Sequence, residues 1–371
     1  MIEQLTQIFF SLLILSGIAA LLAFLIEVAH AYIADYGECQ LSINNEKELT
    51  VKGGSPLLFT LMEEEIYIPS ACGGKGSCSL CKLKVVEGGG PVLPTETPYL
   101  CQEEIENNVR LSCQIKVKND LKIEIPEELF LIREFNVKVD RIEELTHEIN
   151  GLHLTVQNSE EGLNFKPGQY AQLKIPKYTK TKQSEYRAYS IASAPKNKFD
   201  IRLLITKVPS GAVSTYVHDY LKKGQDLKMT GAFGDFYLRD SDRDILMIAT
   251  GSGLAPFLSM LHHIKDHGIT RNTVLFFGDK ATEDLLCMEE ISSFETTLPN
   301  FTFKPILSRV KDKDKWKGEK GRVTDLIEKH VVRNSSIDVY ICGAPVMVKS
   351  CMDLLAKKGI PEECIMFDKF E

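Results

Sequence analysis

Residues 70–81 read Ser70-Ala71-Cys72-Gly73-Gly74-Lys75-Gly76-Ser77-Cys78-Ser79-Leu80-Cys81, and a further cysteine follows in Arg110-Leu111-Ser112-Cys113-Gln114. The spacing is C-x5-C-x2-C, a long gap, then C. Thiolates in this three-plus-one arrangement suit an iron–sulfur cluster. Structural zinc, the rival reading, usually draws its ligands as two close pairs, and disulfides are foreign to a reducing compartment. Gly73, Gly74 and Gly76 allow positive φ in a loop that must turn several thiols inward. The amides exposed by such turns can hydrogen-bond cluster sulfurs and tune their potential.

Plant-type [2Fe–2S] proteins use C-x4-C-x2-C with a distant fourth cysteine, so the first loop here is one residue longer. The loop, together with Arg110-Leu111-Ser112-Cys113-Gln114-Ile115-Lys116-Val117, resembles the ferredoxin domain in the F-subunit family of sodium-translocating NADH:quinone oxidoreductases. Later motifs extend the resemblance over nearly the whole chain. It implies that Cys72, Cys78, Cys81 and Cys113 are the ligands of a [2Fe–2S] cluster.

A chain of 371 residues has room for two or three domains, and its net charge of −7 argues against a nucleic-acid surface. Of ten cysteines, Cys39, Cys101, Cys287, Cys351 and Cys364 have no spacing partner and read as small buried hydrophobes. Leu5 to Ile26 carries no charge and is long enough to cross a bilayer. The start, Met1-Ile2-Glu3-Gln4, lacks the basic region of a cleaved signal peptide, so residues 1–34 are predicted to be a retained transmembrane anchor. Neither flank has Lys or Arg to orient it; use of NADH puts the soluble domains on the cytoplasmic side of an inner membrane.

Residues 35–129 form the predicted cluster domain. Cys39–Ile43 and Glu48–Lys52 suggest a hairpin about Asn44-Asn45. Ser55-Pro56 opens a helix with Leu57, Leu58 and Leu61 on one face. Lys82–Val86, Val109–Val117 and Leu121–Ile125 read as further strands, with Gly88-Gly89-Gly90-Pro91 as a stop. By analogy with plant-type ferredoxins this is a β-grasp arrangement.

Residues 130–240 are β-rich. Candidate strands at Glu134–Glu144, His153–Gln157, Gln169–Ile175, Arg187–Ala192, Asp200–Thr206 and Asp226–Thr230 suggest a small antiparallel barrel. Arg187-Ala188-Tyr189-Ser190 resembles the Arg-x-Tyr-Ser motif of the ferredoxin–NADP reductase superfamily. An arginine fork suits a flavin pyrophosphate, a tyrosine can stack on the isoalloxazine, and a serine hydroxyl can reach N5. Gly211-Ala212-Val213-Ser214 stands at a predicted helix start, where backbone amides bind anions; with the arginine motif it reads as the second phosphate contact of FAD. Gly231-Ala232-Phe233-Gly234-Asp235-Phe236 resembles the turn that closes the superfamily's barrel.

Residues 241–371 alternate strand and helix. Apolar runs at Ile245–Thr250, Thr273–Phe277, Phe301–Ile306 and Ile337–Ile341 predict a doubly wound α/β domain. Gly251-Ser252-Gly253-Leu254-Ala255-Pro256 lacks the third glycine of the dinucleotide fingerprint but resembles the reductase superfamily's Gly-x-Gly-x-Ala-Pro. Cys342-Gly343-Ala344-Pro345 resembles its Cys-Gly-Pro-Pro, whose cysteine lies beside the nicotinamide. Phe370 stands where relatives place a terminal aromatic over the flavin. Asp279 could bond a ribose 2′-hydroxyl, while Lys280 and Arg309 could favour a phosphate; NADH is the expected coenzyme.

The expected fold is therefore multi-domain α+β: an N-terminal transmembrane helix, a β-grasp ferredoxin domain, an antiparallel β-barrel FAD domain and a doubly wound α/β NAD domain. Tyr189, Ser190 and Cys342 are the expected catalytic positions. NADH gives a hydride and the cluster takes single electrons, so FAD must stand between them. The acceptor is expected to be quinone or another membrane redox partner, reached with other membrane subunits of the pump. The alternative is a tethered reductase that serves a separate oxygenase, a reading prompted by the short segments 169–186 and 196–216, where the family carries insertions.

Overall fold

The computed structural model describes residues 2–33, 36–310 and 315–369. It opens with helix α1, Ile2–Ile33, in which Phe9–Val28 is long and apolar enough to cross a membrane. That span begins and ends slightly later than the charge-free run Leu5–Ile26. The chain divides into two compact units: residues 1–68 with 79–130, and residues 69–78 with 131–371.

The first unit's sheet consists of β1 (Glu38–Ile43), β2 (Lys47–Lys52), β3 (Lys82–Glu87), β4 (Val109–Leu111) and β5 (Leu121–Glu124) in the order β2-β1-β5-β3-β4. Strands β1 and β5 are parallel and the other pairs antiparallel. Asn44 and Asn45 take φ of 55° and 58° to turn the first hairpin, which asparagine tolerates better than most residues. Alternation sends Cys39, Leu41 and Ile43 inward, against Leu57, Leu58 and Leu61 of α2 (Leu57–Glu63). A short helix α3, Gln102–Glu106, precedes β4. The expected long strand Val109–Val117 is cut at Leu111, because the chain turns there through Ser112 to present Cys113.

The second unit contains two six-stranded sheets. The first is antiparallel: β6 (Arg133–Glu144), β7 (Ile149–Gln157), β8 (Tyr170–Ile175), β9 (Glu185–Ser190), β10 (Asp200–Thr206) and β11 (Asp226–Phe233), ordered β10-β7-β6-β11-β8-β9. An isolated bridge between Ile191 and Leu203 joins its two edges, so the sheet curls into a barrel. Helix α4, Ala212–Asp219, packs on β8, β9 and β10. Residues Gly231–Phe233, expected in a turn, belong to β11, where the pairing with β8 is irregular.

The other sheet is wholly parallel, ordered β15-β14-β13-β12-β16-β17. Its strands are β12 (Asp244–Thr250), β13 (Thr273–Asp279), β14 (Phe301–Leu307), β15 (Glu319–Lys320), β16 (Ile337–Gly343) and β17 (Ile365–Lys369), and its helices are α5 (Ala255–His267), α6 (Met288–Thr297), α7 (Val323–His330) and α8 (Pro345–Lys357). The continuous apolar run of β12 is explained by burial on both faces. Ile245, Met247 and Ala249 join the core with α5 and α6, while Leu246 and Ile248 join the core with α7 and α8. Pro256 sits in the first turn of α5, where its missing N–H leaves no bond unmade.

Candidate redox site

The cysteine loop is built on left-handed backbone: Gly73, Gly74 and Gly76 have φ of 67°, 82° and 77°. Ser70 is fully buried, and its Oγ accepts from the Gly74 amide at 3.0 Å. All ten cysteines are free thiols. Within the second unit, Cys78 Sγ lies 3.4 Å from Cys72 Sγ, much longer than a disulfide. That contact, assisted by the amides of residues 75, 77 and 78 against the effect of burial, lowers the Cys72 pKa to about 3. Within the first unit, Cys81 and Cys113 interact, and the neighbouring thiol and burial push the Cys81 pKa upward. Among the described residues no three His, Cys, Asp or Glu side chains are placed about one metal ion. Each unit thus holds one pair of thiols, soft donors of the kind a two-iron cluster takes. Cys101 is exposed and Cys287 half-buried, contrary to expectation; Cys39, Cys351 and Cys364 are buried as expected.

Strand β9 carries Arg187, Ala188, Tyr189 and Ser190 along the barrel's edge. Tyr189 is half-buried and packs against the barrel core. Arg187 is held by the Tyr186 carbonyl at 2.6 Å, with Glu185 at 3.8 Å. Gly211 is the N-cap of α4, so the amides of Ala212, Val213 and Ser214 open the helix without intrahelical acceptors. The Tyr178 hydroxyl donates to the Ala212 carbonyl at 2.7 Å, and Tyr178, Tyr216 and Tyr220 pack edge-on or stacked to fix that end of α4. An arginine fork on β9 and a helix start packed on the same strand fit a diphosphate-bearing flavin.

The dinucleotide side meets this at the ends of β12 and β16. Gly251 has φ of 54°, and a side chain there would face open space except for Ile149 at 4.0 Å. That leaves room for a diphosphate to approach the backbone. Gly253 is obligatory for another reason: a Cβ would collide with the carbonyl of Cys342. Ser252 Oγ is fixed by Thr206 Oγ1 of β10 at 2.7 Å. Cys342 is fully buried, and burial followed by Asp368 drives its pKa well upward, so it is a neutral thiol. The Asp279 carboxylate accepts from the Lys280 amide at 2.9 Å, and burial raises its pKa to about 6.

Sequence reasoning missed Asp368. Strand β17 runs beside β16 with Asp368 opposite Cys342, and Ser190 Oγ donates to Asp368 Oδ2 at 3.4 Å. Burial raises the Asp368 pKa to about 6, with the Ser190 hydrogen bond opposing it. One carboxyl thus joins Ser190 of β9 to Cys342 of β16. The available signal was a lone acid in the apolar run Ile365-Met366-Phe367, but only strand register reveals its neighbours. Phe370 lies outside the described residues.

Comparison with known proteins agrees with this division. Residues 42–118 match the 2Fe-2S iron–sulfur cluster binding domain, 136–237 the oxidoreductase FAD-binding domain and 247–353 the oxidoreductase NAD-binding domain. The chain is similar in fold to an Amycolatopsis cytochrome P450 reductase (TM-score 0.72, 23% identity, 90% of this chain and 98% of that one). It is likewise similar to the ferredoxin reductase in carbazole 1,9a-dioxygenase (TM-score 0.69, 23% identity, the same coverage). The F subunit of the Na(+)-translocating NADH-quinone reductase of Neisseria meningitidis is 30% identical, over 98% of this chain and 99% of the relative. The corresponding protein of Mannheimia succiniciproducens is also 30% identical, over 96% and 97%. The protein carries binding domains for a 2Fe-2S cluster, FAD and NAD, and identity extending across all three places it in the family of F subunits of the Na(+)-translocating NADH-quinone reductases.

Proposed function

We propose that this chain accepts a hydride from NADH on FAD and passes single electrons through a [2Fe–2S] cluster into a membrane-bound sodium-translocating quinone reductase. Flavin, when bound, supplies the exchange between two-electron and one-electron chemistry. The chain's own part is placement. Arg187 and the amides of Ala212, Val213 and Ser214, which follow the N-cap Gly211, hold the flavin diphosphate. Ala188 keeps β9 slim beside the ring, Tyr189 stacks on it, and Ser190 addresses N5. Gly251, Ser252 and Gly253 receive the NADH diphosphate, Asp279 faces its ribose, and Cys342 with Gly343 borders the nicotinamide. Cys72, Cys78, Cys81 and Cys113 ligate the cluster. Helix α1 anchors the protein in an inner membrane, with the soluble units on the cytoplasmic side where NADH is made.

The observation that carries this reading is the junction of Ser190, Asp368 and Cys342, which brings the flavin motif and the nicotinamide motif to one point. No general base is needed there, since hydride transfer asks chiefly for alignment of donor and acceptor carbon and nitrogen. The test is purification of the full chain from membranes in mild detergent. Expected are other membrane subunits of the pump in the same fraction, bound FAD bleached by NADH, and a rhombic EPR signal after reduction. Zinc in place of iron, with no flavin, would overturn the redox reading. Recovery with a soluble oxygenase and no membrane subunits would replace the pump by the tethered-reductase alternative.

A further inference from the structure

Strand β8 is apolar along Ala171, Leu173 and Ile175, yet Gln172 in its middle is 3% exposed. A buried amide is costly unless its hydrogen bonds are made. The Gln172 Nε2 donates to the backbone carbonyl of Ser70, in the cysteine loop, at 3.2 Å. Residues 69–78 belong to the same compact unit as the barrel. A second contact sits beside the first: a Cβ on Gly73 would strike the Arg187 guanidinium and the Tyr186 carbonyl, so the loop backbone lies directly on β9. Ser70 and Gly73 flank Cys72.

The register shows what this face connects. Gln172 lies opposite Ala188, and Tyr170 lies opposite Ser190. Residues directly opposite, and those two apart on one strand, share a face of a sheet. Tyr170, Gln172, Ala188 and Ser190 therefore form one surface. Ser190 and its Asp368 contact stand at one end, and the Ser70 carbonyl at the other. Tyr170 is buried, and its hydroxyl has no hydrogen-bond partner among the described residues, so it fills this surface without tethering the loop. The amide of Gln172 is the tether.

We propose that Gln172 is a positioning residue that seats the cysteine loop on the flavin barrel, and that the electron passes from flavin to cluster across the β8–β9 face. The proposal rests on Cys72 and Cys78 being cluster ligands. The step is simple in balance: reduced flavin loses one electron, the oxidised cluster gains it, and no bond forms or breaks at Gln172.

The experiment compares the full chain in detergent with its Gln172→Leu and Gln172→Glu variants. Flavin reduction by NADH is followed by stopped flow, cluster reduction by freeze-quench EPR, and the mobility of residues 69–78 by hydrogen exchange. In Gln172→Leu, loss of one tethering hydrogen bond is expected to slow cluster reduction about fivefold to tenfold. It should also speed exchange in residues 69–78 and leave flavin reduction and the EPR g-values unchanged. The carboxyl of Gln172→Glu can donate to the Ser70 carbonyl only when protonated. Its cluster reduction should therefore match the parent at acid pH and fall as pH rises. Unchanged cluster reduction in both variants, or an equal slowing of flavin reduction, overturns the proposal. So does a Gln172→Glu variant as slow as Gln172→Leu at every pH. A parent protein with no rhombic signal sinks the ligand assignment, and this inference with it.

Discussion

Asp368 ties Ser190 of the FAD-binding domain to Cys342 of the NAD-binding domain through a single carboxyl. Its pKa is raised by burial from the ordinary 3.8 to about 6, so the folded protein binds more protons than the unfolded chain between those values. The folded state is then favoured at low pH and loses stability as pH rises through about 6. Asp368→Asn keeps an acceptor for Ser190 and removes the titration. It should melt with the parent near pH 4 and several degrees above it at pH 8, a gain of up to about 3 kcal/mol. Equal melting temperatures at both pH values would show that the carboxyl is not held in a dry site. The cysteines make a separate prediction. Cys78→Ala should abolish the rhombic EPR signal while NADH still bleaches the flavin, because Cys78 stands beside Cys72 in the cysteine loop and outside the Arg187–Ser190 and Gly211–Ser214 stretches. Loss of both signals together would refute the division of labour between the two sites. Cys72, Cys78 and Cys81 could be singled out from spacing, since they crowd into one glycine-rich loop. Asp368 and Gln172 could not, because each acquires its meaning from a strand partner or loop far away in sequence.

Secondary-structure elements were legible to the extent that they repeat. Strands β12 and β13 show apolar runs, while β14 is interrupted by Thr302 and Lys304 and β16 by Asp338, and β6 and β7 largely alternate, so these strands could be placed from pattern. Short edge strands such as β15 and β17 carry too few residues to establish a period. The break after Leu111 was hidden because Ile115 and Val117 remain buried after the chain leaves the sheet, preserving the alternation without the strand. The same region hides a structural device. Arg110 donates to Glu96 at 2.6–3.2 Å and to the carbonyls of Gly89, Gly90 and Pro91 at 2.9–3.0 Å. Glu96 also accepts from the amides of Leu93 and Leu111, each at 2.9 Å. Burial alone would raise the Glu96 pKa, but Arg110 and these amides outweigh it and hold the pKa below the usual value. The pair pins the connection between β3 and β4, and therefore the approach to Cys113. Glu96→Ala leaves a buried guanidinium without its counter-charge and should destabilise the first unit by about 3–5 kcal/mol. Calorimetry should show the cluster-bearing transition moving to lower temperature while the flavin-bearing transition stays in place. A shared shift would mean that the two units melt as one.

At the scale of the whole molecule, chemistry and chain order run together. The coenzyme-binding domain comes last, the flavin domain before it, the cluster domain before that, and an apolar helix first. Each carrier's domain is thus encoded one step nearer the apolar helix than that of its electron donor. Residues 69–78 depart from this order, since they belong to the second unit although the chain enters and leaves them from the first. The loop that bears Cys72 and Cys78 is therefore counted with the flavin domain's unit. Nothing in the hydride or electron steps calls for α1, whose side chains from Phe9 to Val28 are exposed in the isolated chain. Its length matches the hydrocarbon core of a bilayer, and a row of exposed Phe, Leu and Ile is costly in water. Removal of residues 1–33 should leave NADH-dependent reduction of ferricyanide at the parent rate, because both nucleotide sites lie in the second unit. The full chain should resist carbonate extraction from membrane vesicles, and the shortened one should remain in the supernatant. If carbonate releases the full chain as well, α1 is not an anchor, and the electron acceptor must be sought in solution.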